Sequence, residues 1–208
     1  MQTDATVFVV DDDQDIRDAL QALIESVGLK ASTFSGAQQF LELYEPDTPG
    51  CVILDIRMPG MSGLDLQRAL TTRGIQIPVI MITGHAEVPV AVQALKCGAF
   101  DFIEKPFSPQ LLLDRIRRAV EVDIQRRQAS SERAEIKARI AELTPRERQV
   151  MDLVVAGKAN KVIASELGLS PKTVEVHRAQ VMRKMRVDSL AELVRVALLG
   201  TSDHGDGI

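Results

Sequence analysis

Cysteine and aromatic residues are scarce in this chain. Of 208 residues only Cys51 and Cys97 are cysteine, and neither stands in a CxxC or Cys/His pattern, so no disulfide framework and no zinc site is indicated. Tryptophan is absent. No run approaches the ~20 apolar residues that cross a bilayer, and residues 1–4 lack the basic and apolar regions of a signal peptide. These absences predict a cytoplasmic protein without a membrane partner.

The charges of the chain are unevenly distributed. The net charge is −4, and hydrophobic and charged residues make up 45% and 26% of the chain, values that are ordinary for globular domains. Residues 1–119 carry 10 basic and 16 acidic side chains, whereas residues 143–200 carry 10 basic and 6 acidic ones. The length favours two domains. A basic second half indicates a polyanionic partner.

Residues 1–107 alternate short apolar runs with amphipathic stretches. Runs typical of buried parallel strands lie at residues 6–10, 29–34, 51–54, 78–82 and 101–103. Apolar residues recur between them at helical spacing, for example at Ile16, Leu20 and Leu23 and again at Val88, Val92 and Leu95. This alternation predicts a flavodoxin-like (βα)5 domain, a doubly wound parallel sheet with helices on both faces.

From residue 108 onward the sequence predicts only helices. A capping hydroxyl precedes a proline at three predicted helix starts, Ser108-Pro109, Thr144-Pro145 and Ser170-Pro171. Gly157 and Gly168 stand where helices end. Neither glycine nor proline occurs at residues 110–144, which predicts one long connecting helix, on the order of 50 Å. Arg126 and Arg133 interrupt its apolar heptad, which disfavours a coiled coil along the full length.

Charged and hydroxyl side chains follow the predicted strands. They are Asp11, Asp12 and Asp13 after the first strand, Asp55 after the third, Thr83 after the fourth and Lys105 after the fifth. Because the carboxyl ends of parallel strands meet at one edge of the sheet, we expect these groups to converge. Clustered carboxylates repel each other unless a cation lies among them, and Mg²⁺ suits an oxygen-rich pocket. One aspartate after a strand is more often a loop cap, but the whole set favours a site.

Asp55 is the candidate nucleophile of this predicted site, because it stands alone at its strand end. A carboxylate can accept a phosphoryl group and form an aspartyl phosphate. A metal ion and a lysine then stabilise the charge on the transferring oxygens.

Four segments resemble the receiver domain of two-component response regulators. They are VVDDD at residues 9–13, LDIRMPGMSG at 54–63, ITG at 82–84 and EKPF at 104–107, and the resemblance covers roughly residues 5–120. It implies that the Mg²⁺ ligands are Asp11, Asp12, the phosphoacceptor Asp55 and the backbone carbonyl of Arg57. It also implies that Thr83 and Lys105 sense the phosphoryl group and that Phe102 is the aromatic switch residue. The side chains of Arg57 and His85 either tune the lifetime of the phosphate or are solvated surface groups.

Residues 143–199 resemble the LuxR-type four-helix DNA-binding domain, in the arrangement of the FixJ branch of regulators. A helix at 160–167, a turn at 168–170 and a helix at 171–185 have the lengths and the glycine placement of a helix-turn-helix. At 100° per residue, one face of the second helix is predicted to be free. The predicted DNA-binding residues are Asn160, Lys161, Lys172, Thr173, Glu175, Val176, Arg178, Ala179 and Arg183.

These residues suit different parts of a DNA major groove. We expect Val176 and Ala179 to touch thymine methyl groups and Glu175 to accept from a cytosine amine. Lys172 and Arg183 are expected to meet phosphates. The apolar stripe of the last helix either packs inside its domain or pairs two copies.

The resemblance implies a transcription regulator. A sensor histidine kinase would phosphorylate Asp55, phosphorylation would promote a homodimer, and the dimer would bind double-stranded promoter DNA and act with RNA polymerase, as an activator. The predicted domains are a receiver at residues 1–120, a helical linker at 121–142, a LuxR-type domain at 143–200 and a flexible tail at 201–208. Such a protein is not a conventional enzyme, since its receiver only assists its own phosphorylation and dephosphorylation.

Two other functions are compatible with parts of the sequence. An aspartate-based phosphatase would also use Asp55, but a second aspartate is lacking at Arg57, two positions later, and no segment is predicted to cover a substrate. An RNA-binding effector domain would need aromatic side chains for base stacking. Residues 143–208 contain no Phe, Tyr or Trp.

Overall fold

The computed structural model describes residues 5–84, 92 and 94–201 of the chain. The strands are β1 Thr6–Val10, β2 Lys30–Phe34, β3 Gly50–Asp55, β4 Val79–Thr83 and β5 Asp101–Glu104. The helices are α1 Gln14–Ser26, α2 Ala37–Leu43, α3 Gly63–Thr72, α4 Pro109–Ala141, α5 Pro145–Val155, α6 Asn160–Leu167, α7 Pro171–Met185 and α8 Leu190–Thr201. Residues 94–96 are also helical. Val88 of the helix predicted there, His85, and residues 202–208 of the predicted tail lie outside the described residues.

The strands form one parallel sheet in the order β2-β1-β3-β4-β5, which confirms the predicted doubly wound fold. The chain leaves β1 toward β2 on one side and returns to β3 on the other side. The strand order therefore reverses between β1 and β3, where ligands bind in such sheets. Val10 pairs with Leu54 in this register, so the residues that follow them, Asp11 and Asp55, come out side by side.

Alternation of side chains divides the core of the sheet into two layers. Phe8 and Val10 of β1 point into one cluster, and Val7 and Val9 point into the other. All of β1 and β3 is buried, as expected when helices cover both faces. The few aromatic residues are concentrated in the first cluster, where the ring of Phe8 lies 5.9 Å from that of Phe40 and 5.3 Å from that of Tyr44.

Side-chain caps fix where several helices begin. The carboxylate of Asp13 accepts from the N–H of Asp15 at 2.9 Å and starts α1. Thr144 and Glu147 form a reciprocal capping box at the start of α5. Ser170 accepts from the N–H of Thr173 at 3.0 Å, ahead of Pro171, and starts α7. The starts of α5 and α7 are those predicted from the Ser/Thr-Pro pairs.

The chain divides into two compact units between Arg127 and Gln128, inside the long helix α4. The first part of α4 buries Leu112 and Ile116 in the core of the sheet-containing unit. Its last part buries Ile136 and Ile140 in the core of the helical unit. The division falls within the predicted linker at residues 121–142, and the domain limits themselves stay predictions.

The second unit is built from helices packed around one apolar core. Val150, Ile163, Val174 and Leu193, from α5 to α8, meet there. Within the described ranges, none of the helices combines the length and the apolar character that crossing a membrane needs.

Candidate functional site

Asp11, Asp55 and Lys105 meet at the carboxyl edge of the sheet. The ammonium group of Lys105 donates to Asp11 Oδ2 at 3.0 Å and to Asp55 Oδ1 at 2.8 Å. Asp11 is 1% exposed and Asp55 is 7% exposed, so both carboxylates are held away from bulk water. The convergence expected from the sequence is present for these three residues.

Backbone hydrogen bonds orient the two carboxylates. Asp11 Oδ1 accepts from the N–H of Asp13 at 3.0 Å, and Asp55 Oδ2 accepts from the N–H of Arg57 at 2.7 Å. The loop after β3 also packs closely against the phosphoacceptor candidate, since a Cβ on Gly63 would lie 2.2 Å from the carbonyl oxygen of Asp55. Glycine is therefore needed at position 63.

Burial and pairing act in opposite directions on this cluster. Burial raises the pKa of Asp11, although the hydrogen bond from Asp13 and the charge of Lys105 oppose it. Burial disfavours the ammonium of Lys105, but its hydrogen bonds to Asp55 and Asp11 outweigh that effect and raise its pKa. Asp11 is thus a carboxylate whose charged form lacks sufficient stabilisation from its neighbours, and a further cation would stabilise it.

The remaining predicted site residues lie at or near this edge. Asp12 is exposed, as is the side chain of Arg57, and the described residues hold no group of three His, Cys, Asp or Glu side chains placed to bind a metal. Thr83 is buried at the end of β4. Phe102 is partly buried. It pairs with Met81 on β4, so alternation places it on the same face of the sheet as Thr83.

One residue of this site escaped sequence analysis. Arg17 of α1 is 7% exposed and donates from Nη1 to the carbonyl oxygen of Asp11 at 2.7 Å. The position of Arg17 in the sequence could have identified it, because Arg17, Leu20 and Ile24 form the buried stripe of α1. A cation on an apolar stripe indicates a buried partner.

The second candidate site is the helix pair α6 and α7. Gly168 adopts a left-handed conformation, φ 65° and ψ 36°, and turns the chain toward α7. Val174, Val181 and Met185 of α7 are buried. The predicted free face is exposed at Lys172, Val176, Ala179 and Arg183, and of the two residues that flank it Glu175 is exposed and Gln180 partly buried.

The other predicted DNA-binding residues flank this face. Arg178 is partly buried, and its Nη1 donates to Oδ1 of Asn160 at 2.6 Å, which ties α7 to the start of α6. Thr173 is partly buried beside Ser170, and Lys161 is exposed. Exposed cations and exposed methyl groups on one helix after a tight turn match the geometry of a major-groove helix.

Models of two protein families match the chain. The response regulator receiver domain matches residues 7–117, and the bacterial regulatory proteins of the luxR family match residues 141–197. The chain belongs to the response regulators. Its second domain is a LuxR-type helix-turn-helix domain, as the resemblance implied.

Named proteins are similar to this chain over most of their own length. Nodulation protein W of Bradyrhizobium diazoefficiens is 47% identical over 195 residues, which cover 94% of this chain and 86% of that protein. The transcriptional regulatory protein FixJ of Azorhizobium caulinodans is 47% identical over 193 residues, covering 93% and 92%. Among solved structures, response regulator StyR has a TM-score of 0.87 at 44% identity and covers 94% of this chain and 99% of its own. This response regulator is therefore homologous along both domains to proteins that regulate transcription.

Proposed function

We propose that phosphoryl transfer from a sensor histidine kinase to Asp55 controls how this response regulator binds promoter DNA. The observation that carries the proposal is the contact of Lys105 with both Asp11 and Asp55 in a buried pocket. A buried carboxylate that already touches a lysine has the charge stabilisation that phosphoryl transfer needs. The protein acts as a regulator and only assists its own phosphorylation and dephosphorylation.

The residues at the sheet edge fit a magnesium ion. Buried carboxylate oxygens are hard ligands, and burial has raised the pKa of Asp11, so a cation there relieves an unfavourable charge. Asp11, Asp12, Asp55 and the backbone carbonyl of Arg57 would hold it. The ion supplies positive charge that stabilises the oxygens of the transferring phosphoryl group.

The transfer step uses Asp55 as the nucleophile. One carboxylate oxygen attacks the phosphorus of a phosphohistidine, the phosphorus–nitrogen bond breaks, and the imidazole of the kinase leaves with the bond electrons. The ammonium of Lys105, which contacts Asp55 Oδ1 at 2.8 Å, pairs with the oxygens of the new phosphoryl group. The hydroxyl of Thr83 senses the same group from the neighbouring strand.

Thr83 and Phe102 transmit the phosphorylation of Asp55 to the surface of the receiver. Both lie on one face of the sheet, on the adjacent strands β4 and β5, so a shift of Thr83 toward the phosphoryl group makes room for the ring of Phe102. The face around β5 then pairs two receivers. A homodimer presents two copies of α7 and suits a palindromic site.

The exposed face of α7 lies in the major groove in this proposal. Lys172 and Arg183 meet phosphates, Val176 and Ala179 touch thymine methyl groups, and Glu175 accepts from cytosine. Asn160, Lys161, Thr173 and Arg178 support these contacts from the turn and from α6. The bound dimer acts with RNA polymerase and activates transcription, as expected of a protein similar to FixJ.

Phosphorylation of the intact chain by acetyl phosphate tests the first step. With Mg²⁺ we expect the mass of one phosphoryl group to be added to the parent and to Asp65→Asn, a control in which an exposed aspartate is changed. Asp55→Asn should stay unmodified, and EDTA should abolish the reaction. Incorporation into Asp55→Asn at the parental level would show that another residue is the acceptor.

A further inference from the structure

Six helices of the described chain end in the same backbone arrangement. In each, a residue of positive φ is followed by an N–H that donates to the carbonyl five residues earlier, which is the Schellman motif. The donor and acceptor pairs are Leu29 and Ile24, Ile75 and Leu70, Ala99 and Ala94, Lys158 and Leu153, Leu169 and Ala164, and Val187 and Met182. The residues of positive φ are Gly28, Gly74, Gly98, Gly157, Gly168 and Arg186.

Arg186 is the exception in this set. It adopts φ 56° and ψ 50°, and in the described part of the chain it is the one residue other than glycine with a positive φ. The left-handed conformation brings the Cβ of an L-residue close to the following carbonyl oxygen, a contact that glycine avoids. The chain thus uses an unfavourable residue at the end of α7, although it uses glycine at the five comparable helix ends.

Stabilisation of the helix end does not account for this arginine. A cation near a helix C-terminus is favourable, but the last turn already contains Arg183 and Lys184. Arg139 also donates to the carbonyl of Met185 at 3.4 Å. Among the described residues, the side chain of Arg186 has no hydrogen-bond or ion-pair partner.

The two residues beside Arg186 are buried, whereas its own side chain is exposed. Its neighbours Met185 and Val187 are 0% and 5% exposed, so the backbone between them is anchored in the core while the arginine side chain is exposed. Val176, Ala179 and Arg183 are spaced by three and four residues on the exposed face of α7. Arg186 directly follows Met185, the last residue of α7, so its exposed side chain lies at the same end of the helix as Arg183.

We infer that Arg186 is a DNA-binding residue that contacts a backbone phosphate beside the groove occupied by α7. The inference rests on the proposed placement of the exposed face of α7 in the major groove. A guanidinium pairs well with phosphate oxygens, and such a contact strengthens binding to any sequence. The cost of the left-handed arginine to folding is then offset by function, as is usual for strained residues at functional sites.

Replacing Arg186 by glycine separates the effect of this residue on folding stability from its effect on DNA binding. Arg186→Gly should raise the melting temperature of the helical unit by a few degrees, because the backbone strain is removed. The same variant should bind a fluorescein-labelled duplex DNA of mixed sequence about fivefold more weakly at low salt. The slope of log K against log salt should fall by about 0.9, since one phosphate contact is lost. Calorimetry and fluorescence anisotropy of the full-length chain measure these quantities.

Two further substitutions of Arg186 test the contribution of its positive charge, and a substitution of Arg195 is the control. Arg186→Gln keeps the strained backbone, so it should lose affinity as Arg186→Gly does but gain no stability, whereas Arg186→Lys should bind nearly as the parent does. Arg195→Gln removes an exposed arginine of α8 and should leave the salt slope unchanged. Parental affinity and slope in both Arg186→Gly and Arg186→Gln would overturn the inference.

The proposed placement of α7 is tested separately by Arg183→Ala. If Arg183→Ala weakens binding and Arg186→Gln does not, only the role of Arg186 is wrong. If neither variant changes binding, the placement of α7 is wrong as well.

Discussion

The backbone N–H of Gly50 donates to the carboxylate of Asp123 at 3.0 Å. Gly50 begins β3, whose other end is Asp55, and Asp123 lies on α4. Asp123 is 0% exposed, and it also accepts from Arg126 and, at 2.7 Å, from Nε of Arg127. The long helix is therefore tied to the sheet by a buried charge, at the end of β3 opposite Asp55, the proposed phosphorylation site.

Asp123→Ala should lower the free energy of unfolding of the receiver by about 3 kcal/mol, because removing one partner of a buried ion pair leaves the others uncompensated. Chemical denaturation of the full-length chain measures this. Asp114→Ala is the matched control, since Asp114 pairs with Arg117 on the exposed face of the same helix and such pairs contribute little. Equal stability of the two variants would show that the Asp123 contacts are not important for stability.

The sequence predicted the fold well where it depends on periodicity. The five strands were located to within about one residue, because buried parallel strands are continuous apolar runs, and capping residues marked the helix starts. The convergence of Asp11, Asp55 and Lys105 followed from the topology of a parallel sheet. The contact between Gly50 and Asp123 could not be predicted, because it joins residues 73 positions apart and neither belongs to a motif.

The assignment of α4 shows a second limit of sequence patterns. Leu112, Ala119, Ile136 and Ile140 fit an apolar heptad, but Arg126 and Arg133 interrupt it, which disfavours one continuous seam. In the structure the first two are buried in the receiver core and the last two in the helical core. A heptad indicates that residues share a helix face, but it does not indicate which part of the protein packs against that face.

The helical unit should lose stability in acid through Glu147. The side chain accepts from Lys184 at 2.6 Å and from the N–H of Thr144 at 2.8 Å, and these bonds lower its pKa below the usual value of 4.5. A lowered folded-state pKa stabilises the fold above pH 4.5, and that contribution is lost as the pH falls through the folded-state value. Glu147→Gln should therefore reduce the stability lost between about pH 6 and about pH 3.

Thermal unfolding across that range measures the effect of Glu147. Glu142→Gln is the control, because the side chain of Glu142 is exposed and forms no hydrogen bond with another described residue. If the parent and Glu147→Gln show the same dependence on pH, the carboxylate of Glu147 does not contribute to acid sensitivity.

Thr83→Ala should uncouple phosphorylation from dimerisation. The proposed acceptor Asp55 and its partner Lys105 are unchanged, so incorporation of phosphate should stay within about twofold of the parent. The phosphorylated variant should remain monomeric, because it lacks the hydroxyl that we propose to sense the phosphoryl group. Sedimentation of both phosphorylated proteins measures self-association, with Thr72→Ala, a change on the exposed side of α3, as the control. Parental dimerisation of Thr83→Ala would remove Thr83 from the mechanism.

Arg183 and Glu175 should respond differently to substitution, because phosphates carry no sequence information and base edges do. Both side chains are exposed on α7. Arg183→Ala should weaken binding to all duplexes about equally and lower the slope of log K against log salt by roughly 1. Glu175→Ala should instead relax the preference at one base pair by about 1 to 3 kcal/mol if the carboxylate contacts a base. If Glu175 only repels the DNA backbone, affinity should rise for every sequence.

Fluorescence anisotropy on a set of single-base variants of one operator, at several salt concentrations, distinguishes these outcomes. Arg195→Gln controls for the loss of one positive charge from the same unit. An unchanged affinity and salt slope in Arg183→Ala, together with an unchanged ranking and strength of sites in Glu175→Ala, would mean that α7 does not lie in the groove. Val176, 55% accessible on the same face, would then be an ordinary solvated side chain, because single exposed apolar residues are common on protein surfaces.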